Sequence, residues 1–145
     1  MKIRKINAED LTAISNLYVS VFGNPPWNEH WEFSWAYFRL LWIYRSQDYY
    51  GYVAEVDQKI VGAILGCYIP FKGKKGFKIL EFFVAFENQQ QGIGSKLLNK
   101  LESELQANNY DFITLLTAKS SSAESFYLNR EYSVNQKLEL LNKEI

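Results

Sequence analysis

Residues 81–98 read Glu81-Phe82-Phe83-Val84-Ala85-Phe86-Glu87-Asn88-Gln89-Gln90-Gln91-Gly92-Ile93-Gly94-Ser95-Lys96-Leu97-Leu98. The apolar run at the start of this segment is typical of a central strand that is covered on both faces. The helix that follows has leucines on one side and charged residues on the other, which indicates an amphipathic helix. A short loop with two glycines joins them. This order predicts an α/β fold in which a helix directly follows a buried strand.

The loop between this strand and this helix has the chemistry of an anion site. Backbone N–H groups at the start of a helix have no partner inside the helix, and the positive end of the helix dipole lies there. Gly92 and Gly94 have no Cβ, so a ligand can approach the backbone closely. The segment matches neither the P-loop pattern nor the dinucleotide pattern GxGxxG, because Leu97 stands where the third glycine would be. A tight turn without a ligand is the alternative interpretation.

The rest of the chain continues the α/β pattern on both sides of this segment. Apolar residues with a period of two predict strands, and apolar residues three or four positions apart predict helices. Strands are predicted at 2–6, 50–56, 59–69, 77–86, 111–117 and 132–141 (one strand or a pair), and helices at 8–22, at 31–44, between 94 and 108, and at 121–129. A hairpin turn is expected at Asp57-Gln58. No linker or repeat interrupts the pattern, so residues 1–145 are predicted to form a single domain.

Composition excludes several classes of protein. The 16 basic and 16 acidic side chains give no net charge, which argues against a nucleic-acid-binding protein. A single cysteine, Cys67, and a single histidine, His30, allow no internal disulfide and nearly exclude a zinc site. No run approaches the roughly 18 apolar residues of a membrane span, and the first residues do not form a signal peptide. We therefore expect a cytoplasmic protein that uses no metal, membrane or nucleic acid.

Two motifs resemble those of the GNAT acetyltransferases. Gln89-x-x-Gly92-x-Gly94 is similar to the family signature Q/R-x-x-G-x-G/A, and the segment 123–127, which reads AESFY, is similar to the family segment A-x-x-F/L-Y. The order of predicted elements also matches the family order over most of the chain. The chain departs from the family pattern at three places, one of them a pair of residues. Glycine and asparagine are common where Gln90 and Ser120 stand, and Glu131-Tyr132 replaces a Gly-Phe turn.

The resemblance implies an acetyl-CoA site. In the family this loop grips the diphosphate of the cofactor, and the strand before it diverges from its neighbour and binds pantetheine like an added strand. The Val84 N–H would then face the thioester oxygen. The residues implied to bind acetyl-CoA are Phe83, Val84, Ala85, Gln89, Gln90, Gln91, Gly92, Ile93, Gly94, Ser95 and Ser120.

The resemblance also implies two catalytic residues. Tyr127 would protonate the departing thiolate as a general acid, which a well-positioned phenol can do, and a tyrosine merely packed beside Phe126 is the alternative. Glu81 would be the general base, because burial raises the proton affinity of a carboxylate. The alternative for Glu81 is a structural carboxylate paired with Arg39 or Lys78, and many relatives use a chain of waters instead of one base.

Aromatic and acidic residues just before and within the second predicted helix indicate where the amine that accepts the acetyl group would bind. Aromatic residues make up 17% of the chain, and all four tryptophans lie between positions 27 and 42. Aromatic faces and carboxylates bind cationic amines by cation–π contact and ion pairing. Trp27, Glu29 and Trp31 are therefore candidate substrate contacts. Trp35 and Trp42 are predicted to be core or dimer contacts.

Together these residues predict an N-acetyltransferase that moves acetyl from acetyl-CoA directly to a primary amine of a small molecule. The stretch Pro26-Trp27-Asn28-Glu29 resembles bacterial GNAT members similar to aminoglycoside 6'-N-acetyltransferases, which indicates a cationic acceptor. Two alternatives stay open from the sequence: a peptide or protein N-terminal acetyltransferase, and a catalytically silent module that senses acyl-CoA. The excess of aromatic surface predicts a homodimer.

Overall fold

The computed structural model describes residues 1–145 and contains five strands and four α-helices. The chain divides into two compact units, Met1–Leu115 and Leu116–Ile145, and all five strands belong to the first. None of the helices has the length and apolar character needed to span a membrane. In chain order the elements are β1 (Lys2–Lys5), α1 (Leu11–Gly23), α2 (Phe33–Tyr44), β2 (Tyr49–Val56), β3 (Lys59–Phe71), β4 (Lys74–Val84), α3 (Ile93–Ala107), β5 (Phe112–Leu115) and α4 (Ser122–Leu128).

The ends of these elements follow from local sequence. A capping box precedes α1, in which the Asn7 side chain accepts from the Glu9 N–H and the Asp10 carboxylate accepts from the Asn7 N–H. Asp57 and Gln58 both adopt positive φ in the two-residue turn of the predicted hairpin between β2 and β3. The first five predicted strands and all four predicted helices are confirmed in order, with ends that differ by a few residues.

The sheet is open along the end of β4. β1 to β4 are antiparallel neighbours in chain order, and β5 adds a parallel edge strand beside β4. The pairing of β4 with β5 is short, since it runs from Gly76 opposite Phe112 to Ile79 opposite Leu115. β4 continues to Val84. Its last part therefore has β3 on one side and no strand on the other.

Helices cover both faces of this sheet. α1 and α2 pack on one face, where Ile14, Leu40 and Val53 are fully buried in one apolar cluster. α3 contacts the strands from the other face. Its predicted inward-facing residues are all buried, namely Leu97, Leu98, Leu101 and Leu105. The predicted α/β fold, with a central strand between two helical layers, is confirmed.

A bulge interrupts β4 beside Glu81. Leu65 of β3 lies opposite Glu81, and the next residue, Gly66, lies opposite Ile79. Leu80 is therefore an extra residue in β4. Such a bulge bends a strand and changes the direction of the side chains that follow it.

The bulge determines the face on which Glu81 lies. In a regular strand, residues an even number of positions apart share a face. Phe77 of β4 contacts the ring of Tyr50, whereas Phe83 belongs to the cluster beneath α1 and α2. Phe77 and Phe83 are six positions apart, so they would share a face in a regular strand. The extra residue Leu80 places them on opposite faces. Glu81 follows the bulge, and it consequently lies on the same side as α1 and α2.

One stripe of α2, formed by Trp35, Phe38 and Trp42, does not face the core. Trp35, Phe38 and Trp42 are 53%, 74% and 56% exposed, whereas Ala36, Leu40 and Ile43 are fully buried. The prediction that Trp35 and Trp42 are core residues is wrong. The exposed stripe and the buried stripe of α2 are both apolar, so the sequence pattern does not show which of them faces the core. In the structure the helix packs through the stripe with the smaller side chains. The alternative prediction, a dimer contact, stays a prediction.

The residues after α4 form no strand, so the strand or pair of strands predicted at 132–141 is wrong. The apolar residues that produced that prediction are exposed, namely Val134, Leu138, Leu140 and Leu141. A strand requires backbone partners as well as an alternating pattern. β5 is the last strand of the chain.

Candidate active site

The end of β4 directs a backbone donor to the open edge of the sheet. Neighbouring peptide groups along an antiparallel strand hydrogen-bond on opposite sides. The Ala85 N–H donates to the Val61 carbonyl of β3 at 2.7 Å. The Val84 N–H therefore points away from β3, to the side where β4 has no neighbouring strand. This is the donor that the sequence analysis assigned to a thioester oxygen.

The residues on either side of Val84 in the predicted cofactor site, Phe83 and Ala85, already have contacts within the protein. The Ala85 carbonyl accepts from the Asn88 N–H at 2.9 Å, so both backbone groups of Ala85 are hydrogen-bonded. The Phe83 ring is buried, and its centroid lies 5.3 Å from that of Tyr18. Of the three residues, Val84 is the one whose N–H lies at the open edge.

The loop after β4 enters α3 through two residues with positive φ. Gln90 has a φ of 61°, and Gly92, which caps the helix, has a φ of 82°. A Cβ on Gly92 would meet no atom within 4 Å, so the backbone conformation favours glycine here and packing does not. The Gly92 carbonyl accepts the first helical hydrogen bond at 3.1 Å, from the Lys96 N–H. The amides of Ile93 and Gly94 precede that bond and lie at the positive end of the helix.

Side chains of the predicted motif stabilise this loop from within. Gln89 Nε2 donates to the Val84 carbonyl at 3.0 Å, and Gln91 Nε2 donates to a backbone carbonyl of the same loop at 3.2 Å. Ile93 is buried and anchors the start of α3, and Ser95 follows in its first turn. The loop offers mainly its backbone to a ligand. It fits a diphosphate, for which amides at a helix start are common donors.

Glu81 accepts hydrogen bonds from two helices. The Tyr18 hydroxyl of α1 donates to Glu81 Oε1 at 3.0 Å, and Arg39 Nε of α2 forms an ion pair with the same oxygen. We refer to Tyr18, Arg39 and Glu81 as the Glu81 cluster. Burial raises the pKa of Glu81, and the charge and hydrogen bond of Arg39 oppose that rise. The pair with Arg39 is the one that the sequence analysis gave as the structural alternative. A buried carboxylate with a raised pKa is also suited to accept protons near neutral pH.

Two of the predicted substrate residues adjoin the Glu81 cluster. Trp31 Nε1 donates to Glu29 Oε1 at 3.2 Å, and the Trp31 ring lies edge-on to Tyr18 with centroids 4.8 Å apart. The negative charge of Glu29 is close enough to raise the pKa of Glu81 further. Trp27 contacts Phe22 instead, at 5.6 Å between centroids. Glu29 and Trp31 are therefore the substrate candidates that adjoin the Glu81 cluster.

Tyr18 is a residue of this site that the sequence analysis missed. It lies one helical turn after Ile14, on the buried side of α1. A buried tyrosine requires an acceptor for its hydroxyl group, and this is the signal that could have identified it. Burial and the charge of Glu81 raise the pKa of Tyr18. Its hydroxyl therefore stays protonated and donates.

Two predicted site residues lie in the C-terminal unit. Tyr127 of α4 is nearly buried, and its ring contacts those of Phe126 and Tyr132. Burial raises the pKa of Tyr127 above that of a free phenol, which keeps the hydroxyl group protonated and makes it a weaker acid. Ser120 has a φ of 58° and directly precedes Ser121, which caps α4 through a hydrogen bond from the Glu124 N–H.

The family model that describes the GNAT acetyltransferases matches residues 11–131 of this chain. The chain therefore belongs to the GNAT family and is an N-acetyltransferase by class. A comparison with curated proteins gives no match. The structure contains no group of three or more His, Cys, Asp or Glu side chains that could hold a metal ion.

Solved structures with the same fold cover nearly the whole chain. A GNAT family acetyltransferase of Staphylococcus aureus is 21% identical, with a TM-score of 0.74 over 99% of this chain and 98% of that one. An aminoglycoside acetyltransferase from an uncultured soil metagenomic sample, in complex with sisomicin, is 19% identical, with a TM-score of 0.76 over 99% and 95%. A ribosomal-protein-alanine N-acetyltransferase of Brucella melitensis is 13% identical, with a TM-score of 0.76 over 99% and 100%. At these identities the likeness shows the fold alone.

Proposed function

We propose that residues 1–145 act as one catalytic domain that transfers acetyl from acetyl-CoA directly to a primary amine of a small, cationic molecule. The observation that carries the proposal is the course of β4. Glu81, a buried carboxylate, and Val84, with an N–H at the open edge, lie three residues apart on this strand. The loop and the start of α3 follow immediately.

The residues that follow Glu81 fit acetyl-CoA, which would supply an acetyl thioester to this edge. The amides of Ile93 and Gly94 would hold the diphosphate, and the missing side chain of Gly92 leaves room for it. The Val84 N–H would donate to the thioester oxygen. A donor of this kind, aimed at a developing oxyanion, contributes roughly 3 kcal/mol to catalysis.

Proton transfer is assigned to two side chains. An ammonium group has to lose a proton before its nitrogen can attack a carbonyl carbon, and Glu81 would take that proton directly or through water. Tyr127 would give a proton to the departing thiolate, and its role rests on the family motif. Ser120 would contribute to the cofactor site according to the same resemblance.

The acceptor class is inferred from charge. Glu29 is exposed, and its carboxylate bonds only to Trp31 Nε1, so it can still pair with an ammonium group. Trp31 adds an aromatic face beside it, and Trp27 would border the site further out. The fold occurs both in an enzyme solved with an aminoglycoside and in one named for a ribosomal protein, so fold alone does not choose the acceptor. The acidic and aromatic pair favours a small cation.

Thiol release measured with a panel of amines tests this proposal. The panel would contain a polyamine, an aminoglycoside and a peptide with a free N-terminus, with calorimetry of acetyl-CoA and CoA on the same protein. We expect heat with both cofactor forms and the highest kcat/KM with a small cation. Turnover of the peptide alone would favour the peptide acetyltransferase, and binding without turnover of any amine would favour the silent sensor. Absence of heat with either cofactor form would overturn the proposal.

A further inference from the structure

The two hydrogen bonds that Glu81 accepts end on the same oxygen. Tyr18 and Arg39 approach Oε1 from α1 and α2, and neither contacts Oε2 through a hydrogen bond. The side chain of Glu81 is only 9% exposed, so water gives it little compensation. With Oε1 held by two donors, Oε2 is the oxygen that can accept a proton.

The surroundings of this carboxylate are nearly free of other charge. The neighbouring strand presents Leu65 opposite Glu81. The groups that act on it electrostatically are the hydroxyl of Tyr18, the guanidinium of Arg39 and the carboxylate of Glu29. Arg39 forms its ion pair with Glu81 alone, and its side chain is 38% exposed. Arg39 is therefore the positive charge that pairs with the proposed base.

We propose that Arg39 and Tyr18 are positioning residues for acetyl transfer, which bind Oε1 of Glu81 and leave Oε2 directed to the amine. This inference rests on the proposed function, in which Glu81 is the base. In the step concerned, an N–H bond of the acceptor breaks and an O–H bond forms at Oε2. Glu81 becomes a neutral carboxylic acid and Arg39 keeps its charge. The proton leaves to solvent before the next turnover.

The two residues also determine the pH at which Glu81 can act. Burial raises the pKa of Glu81, and Arg39 and Tyr18 both lower it. A base works only when deprotonated, so activity is lost as the pH falls through this pKa. Removing Arg39 would raise the pKa further. The acidic limb of kcat/KM would then move to higher pH, by about one pH unit or more.

The principal test compares three variants by their profiles of kcat/KM against pH. Arg39→Gln removes the charge and is expected to shift the acidic limb upward. Arg39→Lys keeps the charge, so we expect its acidic limb to lie close to that of the wild type. We expect a lower kcat, because lysine lacks the Nε donor. Arg45→Gln is the matched control, since Arg45 is an exposed cation at the end of the same helix. Its profile should coincide with that of the wild type.

A second measurement does not require turnover. Tyr18→Phe keeps the ring and removes one donor to Oε1, and it is the milder variant if Arg39→Gln does not fold. Carbon NMR of protein labelled at glutamate carboxyl carbons, compared with Glu81→Gln for assignment, would report the titration of Glu81 itself. We expect the midpoint to rise in both Arg39→Gln and Tyr18→Phe and to stay unchanged in Arg45→Gln.

The outcomes separate this inference from the proposed function. Glu81→Gln with the kcat of the wild type would overturn the assignment of the base, and this inference with it. Loss of activity in Glu81→Gln, together with an unmoved acidic limb and an unmoved midpoint in the Arg39 and Tyr18 variants, would overturn the positioning role alone. An upward shift that Arg39→Lys reverses would support it.

Discussion

The Lys78 carbonyl of β4 occupies the place that a Cβ on Gly66 of β3 would take. This close approach lies at the bulge in β4, where Gly66 pairs with Ile79 while Leu65 pairs with Glu81. A glycine inside a strand commonly marks a bulge or a close backbone contact, and here it marks both. Gly66 thus allows the close backbone contact at the bulge that precedes Glu81.

Replacing Gly66 should therefore disturb both stability and catalysis. In Gly66→Ala, the new methyl group would overlap the Lys78 carbonyl, and we expect the free energy of unfolding to fall by about 1–3 kcal/mol. Urea unfolding measures this change. Gly23→Ala is the control, because a Cβ there would lie 3.7 Å from its nearest neighbour, an ordinary contact. A Gly66→Ala protein as stable as the wild type would show that the bulge does not depend on this glycine.

The sequence predicts most of the fold because the signals are local. The leucine face of α3 and the Asp57-Gln58 turn each depend on residues within a few positions. The Gln89-to-Gly94 motif is equally local, so the sequence alone locates the loop that enters α3. The sequence alone does not identify the exposed stripe of α2, because both stripes of the helix are apolar and the choice between them depends on how each fits the sheet.

The chemistry of Glu81 depends on partners far away in the chain. Arg39 and Tyr18 come from two helices, and the bulge that turns Glu81 to them lies beside a glycine of a third element. From the sequence, Arg39 is one of two cations, with Lys78, that could pair with Glu81. The wrong prediction of a strand at 132–141 has a similar origin, because an alternating pattern does not supply the neighbouring strand with which a strand must pair.

The glycine that caps α3 should be required for cofactor binding more than for stability. Gly92→Ala would place an L side chain at a φ of 82°, at a cost of about 1–2 kcal/mol. We expect the loop to change conformation in response, with the affinity for CoA falling about tenfold. Calorimetry with CoA measures the affinity.

Gly73→Ala is a close control for this variant. Gly73 has a φ of 74° in the turn between β3 and β4, and a Cβ there would also meet nothing within 4 Å. The two substitutions should cost similar stability, whereas only Gly92→Ala should weaken CoA binding. Equal affinities in the two variants would argue against a diphosphate site at the start of α3.

The carboxylate of Glu29 should act on substrate binding and leave the chemical step largely intact. In Glu29→Gln the amide could still accept from Trp31 Nε1, but the charge that attracts an ammonium group would be lost. We expect KM for a cationic amine to rise about tenfold, with little change in kcat. Glu32→Gln is the control, because Glu32 is an exposed carboxylate of the same segment that pairs with His30. A rise in KM that both variants share would indicate a general effect of charge and no specific contact.

The hydroxyl of Tyr127 should act on thiol release more than on cofactor binding. Tyr127→Phe keeps the ring that packs against Phe126 and Tyr132 and removes only the proton donor. Because general acid catalysis contributes about 100-fold or more, we expect kcat to fall by that order while the calorimetric affinity for CoA changes little. Tyr132→Phe removes a hydroxyl from the adjacent ring and should retain most of the activity. If Tyr127→Phe releases thiol at the rate of the wild type, the departing thiolate takes its proton from another donor, and Tyr127 is a packing residue.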